Sequence, residues 1–313
     1  EYLINNYSYK GETVFAKNTE IIKTLGRNIV CDYEIDANLN PIKFNELPIY
    51  KLFKSIFDNK REFKDRLKIL KNDIEVINDN STSYLNSLVP NQIGAAITSP
   101  PYYNAREYSQ WENVILYLVD MLLNADAVYN SLADDSYYLY NIGDIVSEDN
   151  IYVVSLMSNK RIQLGFLSCM IFEIVGFNLS GNIIWDKGQV QSKRNSTINL
   201  FSGYVKCINS YEHVFVFKKG HITEGFNKVI KINPVIKINS KGENTYKHTA
   251  PYPLDLVNLI KSFAQKDLYI LDPYLGSGTT LKWALKNGYK GLGIEMNEDY
   301  YKLSLDRIFE NNN

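Results

Sequence analysis

Cysteine is scarce in this chain: there are three in 313 residues, Cys31, Cys169 and Cys207, far apart and with no CxxC pair. Such spacing supports neither a disulfide framework nor a zinc cage, and it fits a reducing, cytoplasmic setting. Histidine occurs only three times, and no metal-ligating constellation is legible. Long hydrophobic runs are missing too. The longest, Leu164 to Phe177, is interrupted by Glu173 and falls short of the ~20 apolar residues a bilayer requires, so a buried helix is expected there and no membrane association. The chain opens on Glu1 and not on Met, so the natural start is expected to be missing and any targeting segment there is unknown.

What is present is a substantial core: 45% of residues are hydrophobic and 22% charged, which excludes disordered, collagen-like and coiled-coil chains. The length suits one large α/β domain with a smaller insertion. The formal charge of −1 is unevenly spread. Between Asp186 and Lys247 eleven Lys and Arg face four Asp and Glu, a local net of +7 that leaves −8 for the rest. This asymmetry is open between a polyanion-binding surface and a solvated one coloured by Lys, Asn and Ile bias.

Apolar runs and helical spacings alternate along the chain, which predicts an α/β sheet. Residues 1–47 remain unassigned. Leu52, Ile56, Phe63, Leu67 and Leu70 have helical spacing and predict an amphipathic helix over Pro48 to Leu70. Strands are expected at Ile74–Asn78, Ile93–Thr98, Tyr137–Ile142, Ile183–Trp185 and His213–Phe217, and helices near Tyr84–Leu88, Trp111–Leu123 and Arg161–Val175. Four segments follow: 1–47, unassigned; 48–185, a catalytic half; 186–247, a basic candidate target-recognition region with a core strand near 211–217; and 248–313, a cofactor-binding half.

Two turns carry chemistry. The apolar strand ending at Thr98 runs into Ser99, Pro100, Pro101 and Tyr102, and two consecutive prolines oblige the chain to leave the sheet in a stiff extended turn. In a parallel sheet that is where ligands bind. Near the C-terminus an apolar strand, Leu268–Leu271, leads into Asp272, Pro273, Tyr274, Leu275, Gly276, Ser277, Gly278 and Thr279, then a helix ending at Asn287 and Gly288. Glycines there let the backbone approach a ligand, and the helix start offers free N–H groups. Structural strand-to-helix turns also use Gly. Glu295 favours the ligand reading, because it ends the next strand 19 residues beyond Gly276, near the offset of an acid that accepts ribose hydroxyls. Two glycines followed by a Thr pair suit a single nucleoside better than a dinucleotide.

Together, Thr98-Ser99-Pro100-Pro101-Tyr102 and Asp272-Pro273-Tyr274-Leu275-Gly276-Ser277-Gly278-Thr279, in that order, resemble the paired motifs of the β-class DNA amino-methyltransferases of restriction-modification systems. Asn141-Ile142-Gly143-Asp144, Ile184-Trp185-Asp186-Lys187, Tyr211-Glu212-His213 and the stretch from Lys247 to Pro253 are similar to less specific blocks of the same family, so the resemblance spans Ile74 to Arg307. Tyr274 stands where Phe is usual. The resemblance implies a doubly wound, Rossmann-like methyltransferase sheet in circularly permuted motif order with a small target-recognition insertion. S-adenosylmethionine would be the cofactor, double-stranded DNA the substrate, and a cognate restriction endonuclease a possible partner.

It also implies site residues: Ser99, Pro100, Pro101 and Tyr102 for catalysis, and Asp272, Pro273, Tyr274, Gly276, Ser277, Gly278, Thr279 and Glu295 for the cofactor, with His248 and Tyr252 in a stretch that closes over it. Asp79 is open between facing the cofactor adenine and ordinary turn chemistry. Arg106, Lys193 and Arg194 are candidate phosphate contacts, against the alternative of solvated charge. An exocyclic amino group is a poor nucleophile, its lone pair being delocalised into the ring. It needs alignment with a sulfonium methyl and acceptors for its N–H groups, which the Ser99 hydroxyl and Pro100 carbonyl can supply. Tyr102 offers a stacking face to a flipped-out base. Ser at the head of the motif resembles the cytosine-N(4) enzymes, with adenine N(6) the alternative; a DNA-binding specificity subunit with an inactive core is the other class of reading.

Overall fold

In the computed structural model the described residues are 33–35, 41–46, 48–60, 65–103, 111–146, 161–188, 210–220, 230–239 and 253–309. The chain divides into two compact units, Glu1–Lys60 and Arg61–Asn313. In the first, β1 (Tyr33–Ile35) and β2 (Pro41–Lys43) pair antiparallel, and α1 (Pro48–Lys60) follows a 3-10 turn. The helix expected to reach Leu70 therefore stops at Lys60. Its buried side chains are Phe53 and Phe57, whereas Leu52 is half exposed, and Leu67, beyond the helix, is 78% exposed. The apolar stripe lies one position on from the one that the spacing suggested.

In the second unit the chain runs β3 (Ile74–Asn78), α2 (Ser81–Asn86), β4 (Ile93–Thr98), α3 (Val114–Ser131), β5 (Leu132–Ile142), β6 (Ile145–Val146), β7 (Arg161–Ile162), α4 (Leu164–Val175), β8 (Phe177–Asp186), β9 (Tyr211–Lys219), β10 (Val235–Lys237), α5 (Leu254–Val257), β11 (Tyr269–Asp272), α6 (Thr279–Lys286), β12 (Lys290–Glu295) and α7 (Glu298–Phe309). Strand order in the main sheet is β10-β8-β9-β5-β4-β11-β12-β3. Each pair is parallel except those that β9 makes with β5 and β8.

The sequence explains the middle of this sheet. β4 is buried at every position and reads as an apolar run from Ile93 to Ile97 closed by Thr98, as suits a parallel strand covered on both faces. One layer of the core is aromatic: Tyr138, Tyr140, Phe172, Phe177 and Phe217 pack between sheet and α4, with Phe172 and Phe217 stacked at 4.1 Å between ring centroids. A second cluster joins Ile97, Leu139, Trp185, Val214 and Val216 to Leu256, Ile260 and Trp283. The run expected as one buried helix, Leu164 to Phe177, is helix only to Val175, after which Phe177 opens β8.

The permutation decides where a site can form. From β4 the chain crosses through α3 to β5, on one side; from β11 it crosses through α6 to β12, on the other. Neighbouring strands with diverging connections leave a crevice at their carboxyl ends, the switch point of a doubly wound sheet. The region 186–247 contributes more to the sheet than its basic composition suggests. Besides the expected strand, now β9, it supplies the edge strand β10, whose Val235–Lys237 pair with Ile184–Asp186.

Candidate active site

The two turns singled out by sequence leave adjacent strands, and one carboxylate joins them. Asp272, wholly buried at the end of β11, accepts from the Thr98 hydroxyl at the end of β4 (2.7 Å) and from the Thr280 hydroxyl in α6 (2.5 Å); the Tyr274 amide also donates to it (3.2 Å). Both carboxylate oxygens are thus engaged within the protein. Thr98 precedes Ser99 directly, so Asp272 sets the root of the proline turn and of the glycine loop together.

The glycine loop is held from below. Gly278 has φ +84°, the left-handed region that glycine favours, and a Cβ there would press to 3.1 Å on Ile308 and Ser304 of α7. The same helix sends up Arg307, a buried guanidinium that donates to the hydroxyls of Ser277 (2.7 Å) and Thr279 (2.8 Å). Those hydroxyls face inward, so what the loop presents to a ligand is main chain. No side chain caps α6, whose first-turn N–H groups need an acceptor from elsewhere.

Glu295 closes the loop's other side. Its carboxylate accepts from the amides of Gly276 (2.8 Å) and Asn297 (2.9 Å). Burial pushes its pKa above the ordinary 4.5, backbone hydrogen bonds from Asn297, Gly276 and Met296 pull it back, and the Asp272 charge adds to the rise. Next to it Met296, 71% exposed, sets an apolar surface beside the acid. Asp79 lies just past the end of β3, exposed, its carboxylate accepting from the Asn80 amide at 2.7 Å. The neighbouring Asn78 donates to the carbonyls of Glu295 and Met296, which fixes the end of β3 against that of β12.

Tyr102 is the best-anchored member of the proline turn. Its buried hydroxyl donates to Glu212 at 3.0 Å and receives the Ser99 hydroxyl at 3.5 Å and the Gly143 amide. Burial, followed by the negative charge of Glu212, holds the phenol far above its ordinary pKa of 10. Glu212 in turn pairs with Lys187, whose ammonium lies 5.0 Å from the centre of the Trp185 ring. Sequence reading named Glu212 and Lys187 only inside family blocks. The available signal was an acid two residues before the apolar run Val214–Phe217, at the strand end that antiparallel pairing returns to the ligand edge.

Arg106, Lys193, Arg194, His248 and Tyr252 lie outside the described residues. Within the basic region Lys218 is buried and paired with Asp135, so its charge is spent inside the fold. Among the described residues no group of three His, Cys, Asp or Glu could hold a metal, and no helix is long and apolar enough to cross a membrane.

Residues 93–306 match the family described as DNA methylase, N6_N4_Mtase. The chain is 44% identical over 249 residues to the type II beta methyltransferase M.BslI of Bacillus sp. (strain NEB-606), covering 75% of this chain and 27% of that protein. It therefore spans about a quarter of that relative's length. Among solved structures, the PvuII DNA methyltransferase (cytosine-N4-specific) superposes with a TM-score of 0.62 at 20% identity, over 78% of this chain and 89% of that one. A putative DNA modification methylase of Thermus thermophilus, complexed with S-adenosyl-L-methionine, gives 0.58 at 19% identity, over 75% and 94%. These two likenesses bear on the fold, a Rossmann-like methyltransferase sheet.

Proposed function

This chain belongs to the DNA methylase family of N6 and N4 methyltransferases, and from that premise we propose that it transfers a methyl group from S-adenosylmethionine to an exocyclic amino group in duplex DNA, with cytosine N(4) as the target. The observation that carries the reading is the Thr98–Asp272 hydrogen bond, which roots the proline turn and the glycine loop at one switch point. A duplex-DNA substrate places the protein in the cytoplasm and makes a restriction endonuclease its natural companion. Cytosine is favoured by Ser99 at the head of the turn and by the cytosine-N4-specific PvuII enzyme among the structural likenesses.

The residues present fit the cofactor. The main chain of Gly276 to Thr279 and the uncapped start of α6 would receive its carboxylate, Glu295 its ribose hydroxyls, and Met296 the face of its adenine. When bound, S-adenosylmethionine supplies a methyl group on a positively charged sulfur. The protein's share is to hold the amine. Ser99 and the Pro100 carbonyl accept its N–H groups, which favours a tetrahedral nitrogen whose lone pair is free to attack; Tyr102 stacks on the base. Extrahelical capture costs a few kcal/mol, which stacking and phosphate contacts offset.

The test is incubation with labelled S-adenosylmethionine and mixed-sequence duplex DNA, followed by digestion and mass spectrometry of the nucleosides. N(4)-methylcytosine is expected. N(6)-methyladenine would keep the mechanism and reverse the base, and no methylated nucleoside despite cofactor binding would favour the inactive specificity subunit.

Glu295 adds a pH dependence. Ribose hydroxyls need its ionised form, so affinity is complete well above its raised folded-state pKa and falls as pH drops through that value, in a window above 4.5. In the free protein the sign for stability is opposite: a raised carboxyl pKa means that protonation favours the fold. Calorimetric titration against pH should show weakening affinity on acidification, and Glu295→Gln should flatten that slope. An unaltered slope in the variant would remove Glu295 from the ribose site.

A further inference from the structure

We propose that Glu212 is a positioning residue that sets the direction of the Ser99–Tyr102 hydrogen bonds, so that Ser99 can only accept from the target amine; this rests on the methyl-transfer reading above.

The argument is one of counting protons. Ser99 and Tyr102 each carry a single hydroxyl hydrogen and can donate or accept. A pair of hydroxyls has two polarities; the phenol, being the more acidic, is the better donor, so left alone the pair favours Tyr102 donating to Ser99, and only the opposite direction is useful here. If Ser99 donates to Tyr102, both lone pairs of its oxygen stay available to the amine's N–H groups. If Tyr102 donates to Ser99, the Ser99 hydrogen turns elsewhere and competes with the substrate as a donor. A third group must choose between them. Glu212, at the start of β9, is paired with Lys187 and offers Tyr102 an acceptor, so the Tyr102 hydrogen is committed to it at 3.0 Å. The Tyr102 oxygen is left to accept, and it does so from Ser99 at 3.5 Å and from the Gly143 amide.

Two further features keep this carboxylate in place. Lys187 pairs with its other oxygen, Oε1, and supports its charge. At Gly143 a Cβ would come within 2.8 Å of the Glu212 Cγ, so the missing side chain leaves the acid its room. The arrangement joins β4, β5, β8 and β9 at their ligand-bearing ends, across 110 residues between Tyr102 and Glu212.

Glu212→Gln separates polarity from packing. Lys187 demands an acceptor, so the glutamine oxygen takes the Oε1 position and its NH2 faces Tyr102. A donor now meets the phenol oxygen and the polarity is reversed at almost constant shape. In single-turnover methyl transfer, Glu212→Gln and Tyr102→Phe are each expected to slow the chemical step about tenfold, the worth of one misdirected hydrogen bond, with cofactor affinity unchanged. Combined, they should be no slower than Tyr102→Phe alone, since Glu212 acts through the Tyr102 hydroxyl. Additive losses would overturn the inference.

A second measurement needs no turnover. In protein labelled with 13C at tyrosine Cζ, the Tyr102 resonance, assigned by its disappearance in Tyr102→Phe, should shift in Glu212→Gln. An unmoved resonance would overturn the inference. Absence of methyl transfer by the unaltered protein sinks the proposed function instead, and the resonance then decides the hydrogen-bond direction on its own.

Discussion

Ser99→Ala is expected to slow methyl transfer by about 10²–10³-fold, the usual loss when one well-placed polar group is removed from a transition state. Cofactor affinity should stay as it was. Among the described residues the one hydrogen bond of Ser99 is the long one to Tyr102, and none joins it to the glycine loop or Glu295. Neither Thr98, which roots the turn, nor the two prolines that stiffen it are altered. The amine would then lose an acceptor for its N–H while the place for the methyl donor stays intact. Single-turnover kinetics with titration calorimetry separate the two quantities. Preserved turnover would take Ser99 out of the mechanism; lost cofactor binding would mean that the hydroxyl supports the loop and not the reaction.

The parts of this molecule that sequence made legible are those in which local chemistry and tertiary position agree. The bounds expected for β3 and β4 agree with the structure to the residue, because each is a short β-branched or apolar segment closed by turn residues, here Asp79-Asn80 and Pro100-Pro101. Glu295 was legible from its distance to Gly276, a separation fixed by one strand–helix–strand unit. Contacts made across the sheet were not. Glu212 meets Tyr102 over 110 residues, and which acid it would be depends on the antiparallel return of β9. Arg307 reads as an ordinary base near the end of an amphipathic helix, yet it is buried under the loop and turns the Ser277 and Thr279 hydroxyls inward. β10, three residues of edge strand directly after Pro234, lies in a stretch where Ile and Val alternate with Lys and Asn throughout, so nothing in the pattern marks off its ends. In α1 the sequence holds apolar residues on two adjoining faces, and only packing selects Phe53 and Phe57 over Leu52.

Asp272 was read as a cofactor ligand, and its surroundings predict a larger and different effect. Asp272→Ala removes a wholly buried carboxylate and leaves the Thr98 and Thr280 hydroxyls and the Tyr274 amide without their acceptor. Hydrogen bonds to a charged group are each worth more than neutral ones, but loss of the buried charge returns part of its desolvation cost, so a net loss of about 3 kcal/mol is expected. For a chain of this size that corresponds to a fall in Tm of roughly 5 °C. Asp272→Asn should cost far less. Its amide keeps one acceptor, and a threonine hydroxyl facing the new NH2 can rotate to accept from it. The functional signature distinguishes this residue from Ser99, because the glycine loop and the proline turn are rooted at the same carboxylate. Asp272→Ala should therefore weaken cofactor binding and slow the chemical step together, whereas Ser99→Ala moves only the second. Thermal melts and cofactor titrations of the Ala and Asn variants test this; an Ala variant with unaltered Tm and affinity would show that the two turns hold their places without the buried acid.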